Sequence, residues 1–113
     1  MALRVLGIMG SPRTGSNTDI LLDAALEGAA GAGARVEKLS INRLQVAPCR
    51  ECYQCRVEGV CVIRDDMDEV GKKLLAADRV IIASPIFFYG LSGQLKALVD
   101  RGQSYWIRKY ELV

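Results

Sequence analysis

No histidine occurs anywhere in the 113 residues, which removes the side chain most used as a base near neutral pH. Serine hydrolysis goes with it, because Ser11 and Ser16 lack the usual partner base and neither sits in a G-x-S-x-G elbow. An excess of one charge is also missing. Fifteen Lys and Arg against thirteen Asp and Glu give a net charge of +2, spread along the chain without a basic stripe, so nothing in it suits nucleic acid. Hydrophobic residues make up 50% of the chain, yet no run approaches the roughly 18 apolar residues that cross a bilayer. The opening Met1-Ala2-Leu3-Arg4-Val5 is not a basic region leading into an apolar export segment, so a reducing, cytoplasmic setting is expected, with no membrane partner.

Cysteine is absent from all but one short segment. Cys49, Cys52, Cys55 and Cys61 form C-x2-C-x2-C-x5-C. Compact runs of this kind wrap the backbone around an iron-sulfur cluster, and the five-residue spacer lets the last cysteine return to the same cluster as the other three. Zinc is an alternative, although zinc sites usually hold two C-x2-C pairs on separate knuckles. Ordinary thiols on a loop are a third reading, and a disulfide framework fits a reducing setting poorly. Without histidine, any four-ligand protein site leans on these thiols.

The length fits one domain, 1–113, with a single core. Leu3 to Met9 is a short apolar run that reads as a buried strand ending at Gly10-Ser11-Pro12. Leu21, Leu22, Ala25, Leu26 and Ala29 repeat at helical spacing over Asn17 to about Ala30, with Asp19, Asp23 and Glu27 on other faces. A second strand fits Arg35 to Ile41. After the cysteine loop, Asp66 reads as a side-chain cap, with Glu69 three residues on, for a helix whose stripe is Met67, Val70, Leu74 and Ala77. Val80 to Ala83 reads as a strand covered on both faces. A last helix is expected over about Ser92 to Arg101, packing through Leu95, Leu98 and Val99. Alternating strands and helices predict a parallel, doubly wound α/β sheet with right-handed crossovers, its loops converging along one edge with the cysteines beside them.

The link Gly10-Ser11-Pro12-Arg13-Thr14-Gly15-Ser16-Asn17-Thr18 joins the first strand to the first helix. Free N–H groups and the helix dipole favour an anion there, and Ser11, Arg13, Ser16, Asn17 and Thr18 supply further donors. The nucleotide-triphosphate loop is not matched, since Ser16 stands where its lysine would be. G-x-G-x-x-G is absent too, so a single phosphomonoester is the best guest. Ser84-Pro85-Ile86-Phe87-Phe88-Tyr89-Gly90 puts three consecutive aromatics at the same edge, a wall for a planar ring. Phosphate at one loop and a planar heterocycle at the other make FMN the natural ligand.

With these segments the chain resembles the iron-sulfur flavoprotein branch of the flavodoxin-like NAD(P)H-dependent FMN reductases. The resemblance is carried by Gly10-Ser11-Pro12-Arg13 with Ser16-Asn17-Thr18, the cysteine run, Asp65-Asp66-Met67 and Ser84 to Gly90, and runs from about Leu3 to Arg101. It implies FMN with its phosphate on Ser11, Arg13, Ser16, Asn17 and Thr18, and its isoalloxazine on Pro85, Ile86, Phe87, Phe88, Tyr89 and Gly90. It also implies a [4Fe-4S] cluster on Cys49, Cys52, Cys55 and Cys61 within a loop over 48–62, fed by a donor such as ferredoxin or NAD(P)H, in an oligomer. Two other readings remain open at this level: an NAD(P)H-dependent FMN or quinone reductase without a cluster, and a noncatalytic flavin-binding or assembly subunit. A flavodoxin-like domain has five strands at about 30 residues per strand-helix unit. Only the first three are read here, in order 2-1-3, so the third is expected to be an open edge that a partner chain or second copy covers. The apolar tail Ser104 to Val113 suits burial in such an interface or against the last helix.

Overall fold

In the computed structural model, which describes residues 2–107, the elements alternate along the chain as β1 (Arg4–Met9), α1 (Asn17–Gly31), β2 (Arg35–Ser40), α2 (Gln54–Glu58), α3 (Met67–Ala76), β3 (Arg79–Ala83), α4 (Gly93–Asp100) and α5 (Gln103–Ile107). The three strands form one parallel sheet in the order β2-β1-β3. Central β1 is buried from Val5 to Met9, as its unbroken apolar run requires.

The period-two alternation of β1 divides the core. Leu6 and Ile8 meet Ile41, Met67 and Val70 of α3, and Leu95 and Leu98 of α4. Val5 and Met9 face the other way, against Leu22 and Leu26 of α1. Gly10 then passes so close to α4 that a Cβ there would stand 2.6 Å from Leu95 Cδ2 and 2.7 Å from the Ala83 carbonyl. The Gly10 N–H donates to Ala83 O at 2.7 Å. The Gly10 carbonyl accepts from Ser92 Oγ at 2.6 Å. Ser92 is fully buried, and its Oγ also accepts the Leu95 N–H at 3.2 Å as the cap of α4.

Several expectations are corrected. β2 ends at Ser40, and Ile41 begins a single 3₁₀ turn whose side chain enters the core. Leu21 is exposed, so the α1 stripe rests on Leu22 and Leu26. Asp66 donates no side-chain cap to α3. Its carboxylate accepts the Gln45 N–H at 2.7 Å instead, while Asp65 takes the Met67 N–H at 3.0 Å. Val80 and Ile82 of β3 are exposed, not covered on both faces, because β3 pairs only with β1 among the described residues. The open edge expected for the third strand is present. Of the apolar tail, Ser104 is buried and Tyr105 packs on the core, Trp106 is exposed, and 108–113 lie outside the described residues.

Gly10→Ala is expected to lower the unfolding free energy by about 1–3 kcal/mol through overpacking, seen as a reduced urea midpoint at unchanged slope.

Candidate cofactor site

The first loop is braced from within. Ser11 and Ser16 are buried. Ser11 Oγ accepts the Arg13 N–H at 3.1 Å, and Ser16 Oγ accepts the Asp19 N–H at 3.3 Å as the cap of α1. Asp19 reaches back one residue beyond the cap to take the Gly15 N–H at 2.8 Å and pairs with Lys38, which also reaches Asp23. Lys38 and the Gly15 N–H hold the Asp19 carboxyl below its ordinary value, outweighing the opposing effect of burial. The N–H groups of Ser16, Asn17 and Thr18 have no acceptor among the described residues, as expected of a helix start ready for an anion. Arg13 and Asn17 are exposed beside them, and both serine hydroxyls keep a proton to donate. Asn42 Nδ2, after β2, donates to Thr14 Oγ1 at 2.7 Å, so the second loop touches the first.

The third loop turns on two residues. Phe87 and Gly90 exchange backbone hydrogen bonds at 2.9 and 3.0 Å, and Phe88 and Tyr89 between them have φ of 45° and 69°. Left-handed backbone suits glycine or asparagine in such a hairpin, and in bulky residues costs about 1–3 kcal/mol each. Both rings are 95% exposed and touch edge to face with centroids 5.5 Å apart. Neither local preference nor burial accounts for that arrangement, which leaves two ring surfaces open to a ligand. Pro85 is half-buried and Ile86 exposed. Ser84 Oγ accepts the Ser92 N–H at 3.2 Å, tying this loop to the helix cap that holds Gly10.

All four cysteines line a single cavity of about 500 Å³, and none is in a disulfide. Its walls include Val99, Asp100 and Arg101 from the end of α4 and Gln103 and Ser104 of α5. Two expectations are corrected by this docking. Val99 faces the cysteines and not the core, and no residue of the first or third loop lines the cavity. The physical reason is an anchor. Arg101 is 2% exposed, and its Nη1 donates to Asp65 Oδ2 at 2.8 Å and Ala47 O at 2.9 Å, while Nη2 donates to Ile63 O at 3.0 Å. Asp65 also accepts the Ala47 N–H at 2.8 Å. Both ends of the cysteine segment are therefore fastened to the C-terminal end of α4.

As for metal chemistry, four soft thiols suit iron-sulfur ligation, and the cavity has room for a four-iron cube. Among the described residues, no three acidic or thiol side chains stand close enough to share a single metal ion. Two further left-handed residues, Glu51 and Tyr53 with φ of 58° and 59°, flank Cys52. The Glu51 N–H points at Cys49 Sγ at 3.4 Å, and the Arg56 guanidinium lies 4.9 Å over the Tyr53 ring.

The family model described as NADPH-dependent FMN reductase matches residues 3–112. This chain belongs to that family. It is 44% identical over 99 residues to an iron-sulfur flavoprotein of Methanosarcina thermophila, covering 88% of this chain and 52% of that protein. It is 44% identical over 101 residues to one of Methanocaldococcus jannaschii, covering 89% and 52%. The chain thus spans about half the length of these relatives. Among solved structures, a flavone reductase superposes with TM-score 0.71 at 28% identity, covering 88% of this chain and 30% of that one. An NAD(P)H:quinone oxidoreductase from Methanothermobacter marburgensis gives 0.75 at 22%, covering 89% and 53%, a likeness of fold. The fold is flavodoxin-like, as the strand order implies.

Sequence reasoning missed Arg101, Asp19 and the latch made by Ser92. The S-x-x-D spacing of Ser16 and Asp19 carried a signal for the Ser16 cap on the Asp19 N–H. Arg101 carried none, since a lone arginine ending a helix is ordinary dipole complementation.

Burial pushes the Asp65 carboxyl up, but hydrogen bonds from Arg101, Ala47 and Met67 outweigh it and the net shift is below the ordinary 3.8. Its contribution to stability is therefore complete above that value and is lost as pH falls through the lower folded value. Asp65→Asn is expected to cost about 3–5 kcal/mol near neutrality by leaving Arg101 unpaired, and to flatten the fall in urea midpoint between about pH 5 and pH 2.

Proposed function

We propose that this chain is a redox flavoprotein that moves electrons between FMN on its first and third loops and a [4Fe-4S] cluster on Cys49, Cys52, Cys55 and Cys61. The observation that carries the reading is the gathering of all four thiols around one cavity in a chain whose relatives are named iron-sulfur flavoproteins. When bound, the flavin supplies one- and two-electron chemistry and the cluster one-electron chemistry, so the protein needs no general base.

The residues have binding and orienting roles. Ser16, Asn17 and Thr18 offer N–H groups to the phosphate, Arg13 its charge, and Ser11 a brace for the loop with a hydroxyl to spare. Phe88 and Tyr89 offer ring faces to the isoalloxazine, with Pro85, Ile86, Phe87 and Gly90 forming the rest of the turn. Arg101 and Asp65 hold the cysteine segment closed. NAD(P)H or a reduced ferredoxin in the cytoplasm is the proposed donor. The exposed edge of β3, with Val80 and Ile82, is the surface proposed to be covered by a second copy or partner chain in the working assembly.

The two cofactor sites are separable. Cys55→Ala, purified without oxygen, is expected to lose its iron while keeping FMN. Phe88→Ala with Tyr89→Ala is expected to keep iron and bind FMN at least tenfold more weakly, about 1.4 kcal/mol, as followed by flavin fluorescence. Loss of both cofactors in Cys55→Ala would make the loop structural. Zinc in the wild-type protein would instead favour an FMN or quinone reductase without a cluster.

A further inference from the structure

Arg101 does more than its contacts with protein explain. Two of its three nitrogens are satisfied by Ala47, Ile63 and Asp65. The third, Nε, is buried and has no hydrogen-bond partner among the described residues. An unsatisfied buried donor on a cation is costly, and folded proteins leave few of them. The side chain lines the cavity that the four cysteines line, and the Cys61 sulfur beside the guanidinium helps keep it charged through both charge and hydrogen bonding. Asp65, its carboxylate partner, is shared with two backbone N–H groups. The missing counterpart is an acceptor with negative charge inside that cavity. Four thiolates around an iron-sulfur cube carry a net negative charge and present sulfur acceptors.

We propose that Arg101 is a positioning residue for the cluster that also sets its reduction potential, through the Nε–H and the fixed positive charge. The proposal rests on the iron-sulfur reading above. One electron enters from the external donor, no bond forms or breaks and no proton moves, so the reduced state differs by one added negative charge. A permanent cation beside the thiolates stabilises that charge, and hydrogen bonds to sulfur act in the same direction. Lysine cannot replace it, having no Nε–H and no planar fork to reach Ala47, Ile63 and Asp65 together.

The test compares wild type, Arg101→Lys, Arg101→Gln and Asp65→Asn, all purified without oxygen. Bound FMN and circular dichroism report folding, iron and sulfide report loading, and a dithionite titration followed by electron paramagnetic resonance reports the cluster potential. Arg101→Lys and Arg101→Gln are expected to be harder to reduce, the glutamine variant by a tenfold or larger shift, about 59 mV for one electron. Asp65→Asn removes a negative neighbour and is expected to shift the potential the opposite way. A purely structural clip would not give opposite signs. Iron-loaded, folded Arg101→Lys with the wild-type potential would overturn the proposal. Wild type without iron and sulfide would overturn the iron-sulfur reading itself.

Discussion

A guanidinium taken out of water costs several kcal/mol unless it is paired and hydrogen-bonded, and Arg101 meets that cost with one carboxylate and two carbonyls. Those partners are far apart in sequence. Ala47 precedes the cysteine segment, Ile63 and Asp65 follow it, and Arg101 ends α4. A loop with almost no buried side chains of its own is thereby closed at both ends, which removes the entropy that would otherwise keep its thiols apart. The opposite end of the same helix is fixed by Ser92, whose hydroxyl holds the Gly10 carbonyl. Eight residues, about 12 Å of helix, thus separate the anchor of the first and third loops from the anchor of the cysteine loop. Leu95 and Leu98 seat that strut in the core.

Backbone strain falls at the same two places. The non-glycine residues with positive φ among those described are Glu51, Tyr53, Phe88 and Tyr89, two beside Cys52 and two at the tip of the aromatic turn. Such conformations persist where the surroundings over-determine them, and they cluster at ligand sites. The aromatic pair is strained and almost wholly exposed, so the folded chain alone gains little from it. In the proposed function, a planar ligand against these rings would supply the missing burial.

Much of this was legible in the residues. An unbroken apolar run located β1, which is buried on both faces, and period-3.6 patterns located α1, α3 and α4, each of which buries one face. Alternation of strands and helices gave the parallel sheet, and the family resemblance gave its β2-β1-β3 order and the open edge at β3. The cysteine spacing and the aromatic run stood out because few other functions use them. What escaped was tertiary. Asp66-Met67-Asp68-Glu69 read as a helix start, but Asp65 just ahead of it is spent on Arg101 and two backbone amides, and its pairing with Arg101 joins positions 36 apart. Val99 sits on the apolar stripe of α4 by spacing, but the cysteine loop docks on that face. The short α2 and α5 lie below the length at which periodicity can be read.

The central proposal is two cofactors on one chain, FMN at the first and third loops and a cluster at the cysteine segment. Its most direct test is the content of FMN, iron, zinc and acid-labile sulfide in protein purified without oxygen. FMN together with iron and sulfide in equal amounts, at one cluster per chain, is the predicted result. Zinc in place of iron, or FMN with no metal and no sulfide, would contradict it.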